Sequence, residues 1–372
     1  LSLVGFIALK DPLRQDAKES ILVTKKAGIR TVIVTGDHKL TAKAIAEEIG
    51  LDINEENILD GKYLETINDD ELKEKAKYVS IYARVSPCHK LRIVKALQAN
   101  GEIVAMLGDG VNDAPALKAA DIGVAVGSGT DVAKEVADLV LLDDNFKTVV
   151  KAVEQGRIVF GNIRKVFVYL VADDFSELFL FFASMAMGFP LPLLSAQILW
   201  INLVEDGFPS IALTTEQETS GVMEEKPRHP KEPILNKPLK LWMVVIFFIT
   251  GLAAFLSFFF FLKLTGDLNK TRTIIFVLMC VDSLLFTFSI RSFKRTIFRK
   301  DIFSNRYLVG AVIISAVLLI GAVYFTPLQK LLATQPLGIN EWLLIFGISL
   351  VEILLIEFFK KKIFGSDVVF SK

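Results

Sequence analysis

Residues 108 to 115 read Gly108-Asp109-Gly110-Val111-Asn112-Asp113-Ala114-Pro115. Two glycines free the backbone, and two carboxylates four residues apart meet near one point. That suits a hard cation such as Mg²⁺, which keeps some of its waters and bridges to a phosphate. An Asp-Gly loop with a helix cap is the plainer reading, but it has no need of Asp109, Asn112 and Asp113 together. An earlier turn, Thr35-Gly36-Asp37-His38-Lys39, offers an anion a hydroxyl, a glycine amide and a helix N-terminus. The same residues would also serve as a tight turn with an Asp cap. Lys90, at the start of the helix after Pro87, would steady phosphate oxygens if it joins these groups, and is otherwise a solvated lysine.

A second set of polar residues interrupts apolar sequence. Asp173, Asp174 and Glu177 break one such stretch, and Asn202, Glu205 and Asp206 the next. Charged groups are costly in hydrocarbon and mark ion pathways there. Asp174 and Glu177 are three apart and Asn202 and Asp206 four apart, so each pair shares a helix face and the two faces could enclose a cation. Gly207 and Pro209 loosen the second helix, freeing carbonyls as further ligands. A polar knot between helices would need a counter-charge for five carboxylates, and no Lys or Arg lies beside them. Asp282, in a later apolar stretch, either faces a polar neighbour or joins this ligation. Glu352 and Glu357 read as structural or interfacial, Phe258 to Phe261 as lipid-facing bulk, and His38, His89 and His229 lack metal-ligand spacing.

The elements that carry these residues fall into two kinds. The chain has 372 residues, 52% of them apolar, with 29 Phe, and its long uncharged runs begin only after about residue 165. Its 42 basic and 42 acidic residues balance, which gives no basic excess for nucleic acid, and two cysteines are too few for a disulfide framework. The opening run from Leu1 has neither a charged leader nor a small-residue cleavage site, so it reads as interior sequence and not as a signal peptide. In residues 1–156, apolar β-branched runs alternate with amphipathic stretches, the pattern of a parallel sheet covered on both faces. Strands are expected at Leu3 to Leu9, Thr31 to Thr35, Val79 to Arg84, Ile103 to Leu107, Ile122 to Val126 and Leu139 to Leu142. Helices are expected at Ala17 to Lys26, Leu40 to Glu48, Leu91 to Gln98 and Ala114 to Ala119. In such sheets chemistry sits where strands end at their carboxyl side, which is where both turns fall.

Residues 157–372 supply six stretches long enough to cross a bilayer: about 165 to 188, 193 to 213, 240 to 263, 273 to 290, 307 to 325 and 341 to 359. An even number puts both ends on one side. Arg291, Lys294, Arg295, Arg299 and Lys300 follow the fourth, and Lys360, Lys361 and Lys362 follow the sixth. The positive-inside rule then makes the soluble part, the loop from Thr214 to Lys237 and the tail cytoplasmic. Gln155 to Lys165 would run from the soluble part into the first membrane helix as one rod.

Thr35, Lys90 and the Asp109/Asp113 pair match three motifs of the haloacid-dehalogenase-like phosphotransferase fold. With Asp11-Pro12-Leu13-Arg14, Ala83-Arg84-Val85-Ser86-Pro87 and the string through Leu117, the chain strongly resembles the P-type cation-transporting ATPases over its whole length. The resemblance implies an incomplete α/β Rossmann-like phosphorylation domain followed by an all-α domain with the last six of ten membrane helices. It implies phosphoryl transfer from ATP to an aspartate in an Asp-Lys-Thr-Gly-Thr string, coupled to cation transport. That string is absent from these residues. The resemblance further implies a missing N-terminal half holding the acceptor, the nucleotide-binding and actuator domains and four membrane helices, so that this chain alone would be inactive. Asp109 would bind Mg²⁺ with Asp113, Asn112 would help orient that site, Thr35 and Gly36 would hold phosphate and Lys90 would neutralise it. Asp11, Arg14, Asp37 and Arg84 would flank the nucleotide and the hinge. Trp200-Ile201-Asn202-Leu203-Val204-Glu205-Asp206-Gly207-Phe208-Pro209 is similar to the sixth helix of the calcium-pump branch, and Tyr169-Leu170 with Glu177 to the fifth. That likeness makes Glu177, Asn202 and Asp206 ligands of a transported Ca²⁺. Asp174, Glu205 and Ser283 depart from the branch, where Asn, Thr and Glu stand. The extra acids would suit a monovalent cation or protons. A non-enzymatic membrane ion-binding module is a third reading.

Overall fold

The computed structural model describes residues 13–217, 221–229, 231–293, 295–297 and 302–365. The strand expected at Leu3 to Leu9, Asp11, and the basic residues Lys294, Arg299 and Lys300 lie outside the described residues. The chain splits into two compact units: one reaches Gly156 and takes back a short segment ending at Lys231, and the other holds the remainder from Arg157 on.

The first unit alternates helices and short strands: α1 (Ala17–Lys26), β1 (Ile33–Val34), α2 (Lys39–Glu48), β2 (Ile58–Asp60), α3 (Gly61–Leu64), α4 (Asp69–Ala76), β3 (Ile81–Ala83) and α5 (Pro87–Ala99). There follow β4 (Ala105–Gly108), α6 (Ala114–Ala119), β5 (Ile122–Val126), α7 (Asp131–Val136) and β6 (Leu139–Leu141). All strand pairs are parallel. Among the described residues they form two three-stranded sheets, ordered β1-β3-β2 and β4-β5-β6. The register places Ile33 and Ile58 on either side of Ile81, and Val124 beside Leu139. Because side chains alternate along a strand, Ile81 and Ala83 pack with Ala42 and Ala46 of α2, while Tyr82 packs with Leu72 of α4 and Ile93 of α5. The first sheet is thereby covered on both faces, and its carboxyl ends are left to the turns.

In the second unit, α8 (Phe146–Ala186) is a single helix of 41 residues that starts before the boundary at Gly156. The span expected over 193 to 213 is broken into α9 (Ser195–Trp200), a π-helical segment Ile201–Glu205, and α10 (Gly207–Leu213). Then come α11 (Lys237–Thr265), α12 (Leu268–Ile290), α13 (Arg306–Tyr324), α14 (Thr326–Leu332) and α15 (Ile339–Phe364). Four of the described helices, α11, α12, α13 and α15, are long and apolar enough to cross a membrane. The acids of α8 and the break after Trp200 keep the two earlier segments out of that set. α12 is the central helix, enclosed over most of its length by its neighbours. Phe258 and Phe261 are not lipid-facing: three apart, they share the face of α11 that packs into this core, and Phe260 points outward.

Candidate functional site

The turns after β1 and β3 are stitched together by backbone hydrogen bonds. Thr35 N–H donates to Tyr82 O at 2.9 Å, Arg84 N–H to Asp37 O at 2.9 Å and Val85 N–H to Thr35 O at 3.1 Å. Thr35 Oγ1 donates to Asp37 Oδ2 at 2.9 Å and accepts from Asp37 N–H at 3.1 Å. Asp37 is therefore bound to Thr35 and does not cap α2. His38 does so, its Nδ1 accepting from Leu40 N–H at 3.2 Å. Gly36 is exposed between them. Arg84 holds a left-handed backbone at φ 53°, a conformation that costs a non-glycine residue about 1–3 kcal/mol and gathers at functional turns. Gly61 lies against it, where a Cβ would fall 2.0 Å from Arg84 O.

α5 opens with Pro87 in its first turn and Ser86 N–H donating to His89 Nδ1 at 3.3 Å. One turn on, Lys90 Nζ makes an ion pair with Asp113 Oδ1. Asp113 is 4% exposed, and its Oδ2 accepts from the N–H groups of Asp109 and Gly110, each at 3.3 Å. Gly108 is required beside it, since a Cβ there would sit 2.6 Å from Asp113 Cβ. Burial by itself would raise the Asp113 carboxyl, but Lys90 and the two amides outweigh it and hold the group below the usual carboxylate value. Both oxygens of Asp113 are thus engaged. Asp109 is exposed, and no hydrogen bond or ion pair to its carboxylate occurs among the described residues. Its carbonyl accepts from Thr130 N–H at 2.8 Å, which fixes the loop. The carboxylate pair read from the sequence has divided its work. Asp109 has oxygens to offer a hard metal such as Mg²⁺, with Asn112 exposed nearby, and Asp113 aims Lys90. Arg14 lies within electrostatic reach of Asp143 and Asp144 in the turn before α8.

In the second unit the acids converge around Asp206. Its Oδ1 accepts from Tyr169 Oη at 3.1 Å and Ser283 Oγ at 2.5 Å, and its Oδ2 is enclosed without a partner. The π segment puts it there: Asp206 N–H donates to Ile201 O, five residues back, at 3.0 Å, and Ser315 Oγ takes the Val204 carbonyl at 2.9 Å. Asp173 faces Asp206, and Asn202 faces Glu177. Asp173 Oδ2, Glu177 Oε1 and Glu205 Oε2 are likewise enclosed and unpartnered, while Glu205 Oε1 accepts from Trp200 Nε1 at 3.3 Å. Asp174 is exposed, so the group gains Asp173 in its place. The signal was present: Tyr169, Asp173 and Glu177 recur every four residues and share one face of α8, from which Asp174 is turned. Asp282 faces Ser349 and Glu352. Among the described residues, no three Asp, Glu, His or Cys side chains close on one point as a metal centre does.

Three family models match the chain. The C-terminus of cation transporting ATPases covers residues 190–362, and two haloacid dehalogenase-like hydrolase models cover residues 2–121 and 90–153. A calcium-transporting ATPase of Bacillus subtilis is 43% identical over 96% of this chain and 40% of its own length. One of Bacillus cereus is 40% identical over 97% of this chain and 42% of its own length. The human calcium-transporting ATPase type 2C member 1 is 35% identical over 97% of this chain and 39% of its own. The chain therefore spans about two fifths of the length of the curated relatives it matches. The first unit is haloacid-dehalogenase-like, and the apolar helices together with the C-terminal ATPase match make this a membrane protein. The chain belongs to the P-type cation-transporting ATPases, and its likeness is to the C-terminal part of the calcium-pump-like branch.

Proposed function

We propose that the chain serves in an ATP-driven pump that moves Ca²⁺ through an aspartyl-phosphate intermediate. The acceptor aspartate comes from sequence outside the 372 residues, as do the nucleotide-binding and actuator parts. The observation that carries this reading is the enclosure of carboxylate oxygens from Asp173, Glu177, Glu205 and Asp206, with no basic partner among the described residues, in a group that meets the membrane-length helix α12 at Ser283. Unpaired carboxylates in such a place ask for a cation, and the relatives' names favour Ca²⁺. In this reading all six segments cross the bilayer, and the first unit and both ends are cytoplasmic.

The candidate residues of the first unit take distinct roles. Thr35 and Gly36 hold the transferred phosphate by hydroxyl and amide, and Lys90, aimed by Asp113, neutralises it. Mg²⁺ held at Asp109, with Asn112 beside it, would withdraw charge from the phosphate oxygens when bound. Asp37 keeps Thr35 in place, and Arg84 and Arg14, with Asp11, flank the nucleotide and the hinge. In the second unit, Glu177, Asn202 and Asp206 take the cation together with Asp173, while Glu205 lines the same pocket. Because these acids are not gathered into a preformed cage, a second reading is favoured for the arrangement described: protons occupy the group and exchange for the cation, as counter-transport requires.

The test is phosphorylation from ATP in membranes that hold the full-length protein containing this chain. Acid-stable phosphate should appear with micromolar Ca²⁺ and need it. Asp206→Asn should remove the Ca²⁺ requirement or the response, and Asp109→Asn should abolish phosphorylation while cation binding persists. Phosphate that forms with K⁺ alone, or with no added cation, would reject Ca²⁺ as the cargo.

A further inference from the structure

A second group of enclosed acids lies on the other side of α12. Asp282 of α12 faces Glu352 of α15, and Ser349, one turn before Glu352, faces Asp282. Glu352 is 3% exposed and Ser349 1% exposed. Asp282 Oδ1, both carboxylate oxygens of Glu352 and Ser349 Oγ are sealed from solvent, and none has a hydrogen-bond partner. Few buried polar atoms are left so, and four converging at one helix contact call for an occupant.

Among the described residues the surroundings supply no unpaired positive charge beside the group. α11 packs on both helices, and its ionisable groups, Lys237, Lys240 and Lys263, lie at its ends. α13 packs on α12 with Arg306 at its first position. On α15, Lys360 and Glu357 are paired with each other and with Ser289, and Glu341 is paired with Lys270. The π segment and α10 also touch α12, but their acids belong to the Asp206 group, to which Cys280 is turned. Two carboxylates face to face at this depth cannot both stay ionised, because mutual repulsion adds to the cost of burial. A divalent metal would ask for six or more oxygens, which two carboxylates and one hydroxyl do not supply. A proton needs only two.

We propose that Asp282, Glu352 and Ser349 form a proton-binding site, separate from the Asp206 group, in which the two carboxyls hold at least one proton between them. The bound proton forms one carboxyl O–H, leaves the pair with at most a single negative charge, and lets one acid donate to the other. Ser349 Oγ then donates to the remaining carboxylate oxygen. The site stands whether or not the Asp206 group carries a cation.

The test is infrared spectroscopy of the purified chain in lipid nanodiscs, following the carbonyl band of protonated carboxylic acid against pH. To remove the other acids from view, the background carries Asp173→Asn, Glu177→Gln, Glu205→Gln and Asp206→Asn. An acid band should persist at neutral pH in that background. Glu352→Gln and Asp282→Asn, both close in shape to the native residues, should each remove it, and Ser349→Ala should shift it by deleting a donor while keeping the packing. A band unaltered by all three changes would overturn the proposal. So would a band bleached at fixed pH by added K⁺ or Na⁺, which would make the occupant an alkali cation.

Discussion

Lys90 and Asp113 hold each other in place, and two backbone amides hold Asp113. Asp113→Asn would leave Lys90 without its carboxylate in a mostly buried position, at a cost of about 1–3 kcal/mol to the first unit. Asp109→Asn should change stability by no more than about 0.5 kcal/mol, since its carboxylate is exposed and unpartnered. Urea unfolding of the two variants checks the contrast, and a larger loss for Asp109→Asn would refute the division of labour. The pH dependence follows from the lowered Asp113 carboxyl. Its contribution is complete above the ordinary carboxylate range and is lost as pH falls through the lower, folded value. Across that acidic window Asp113→Asn should lose less stability than the native chain does.

Among elements, the π segment has the most specific consequence. It holds one residue more than α-helical winding needs, and that extra residue lets α9 and α10 each keep their own partners. Upstream, Gln197 Nε2 donates to Leu332 O at 3.1 Å; downstream, Asp206 meets Tyr169 and Ser283. Deleting Leu203, which is 63% exposed, would rewind the segment as α-helix and turn one side by about 100° against the other. One of the two anchors must then be lost. The deletion should abolish cation-dependent phosphorylation of the full-length protein, and Leu203→Ala, which keeps the count, should not. Full cation dependence in the deletion variant would show the winding to be incidental. This winding was not legible in the sequence, where Gly207 and Pro209 drew attention downstream of the actual irregularity. Other misses have equally local causes. β2 is only Ile58-Leu59-Asp60, too short to show a period, and α4 reads as polar because only Leu72 and Ala76 are buried. The turns at Thr35 and Asp109 were legible because glycines and acids in fixed order leave few alternatives. The pairing of Asp113 with Lys90 was not, since it depends on where α5 points.

At the scale of the whole molecule, the two units are held together by different forces. The first buries apolar strands between helices in the manner of a water-soluble domain. In lipid, apolar contact drives helix association weakly, so packing and polar ties weigh more in the second. One such tie is Glu216, whose carboxylate accepts from Arg291 Nε at 2.8 Å and from Asn305 Nδ2 at 3.2 Å. Asn305 in turn caps α13 through Leu308 N–H at 3.0 Å. Burial acts to raise the Glu216 carboxyl, but Arg291 and Asn305 outweigh it and hold it low. Glu216→Gln should therefore cost the second unit about 1–3 kcal/mol at neutral pH, and less as acid protonates the native residue. A calorimetric scan of the chain in nanodiscs should show two transitions, one lowered by Glu216→Gln and the other by Asp113→Asn. If either substitution lowers both transitions together, the units unfold as one cooperative body, and their separate stabilisation is disproved.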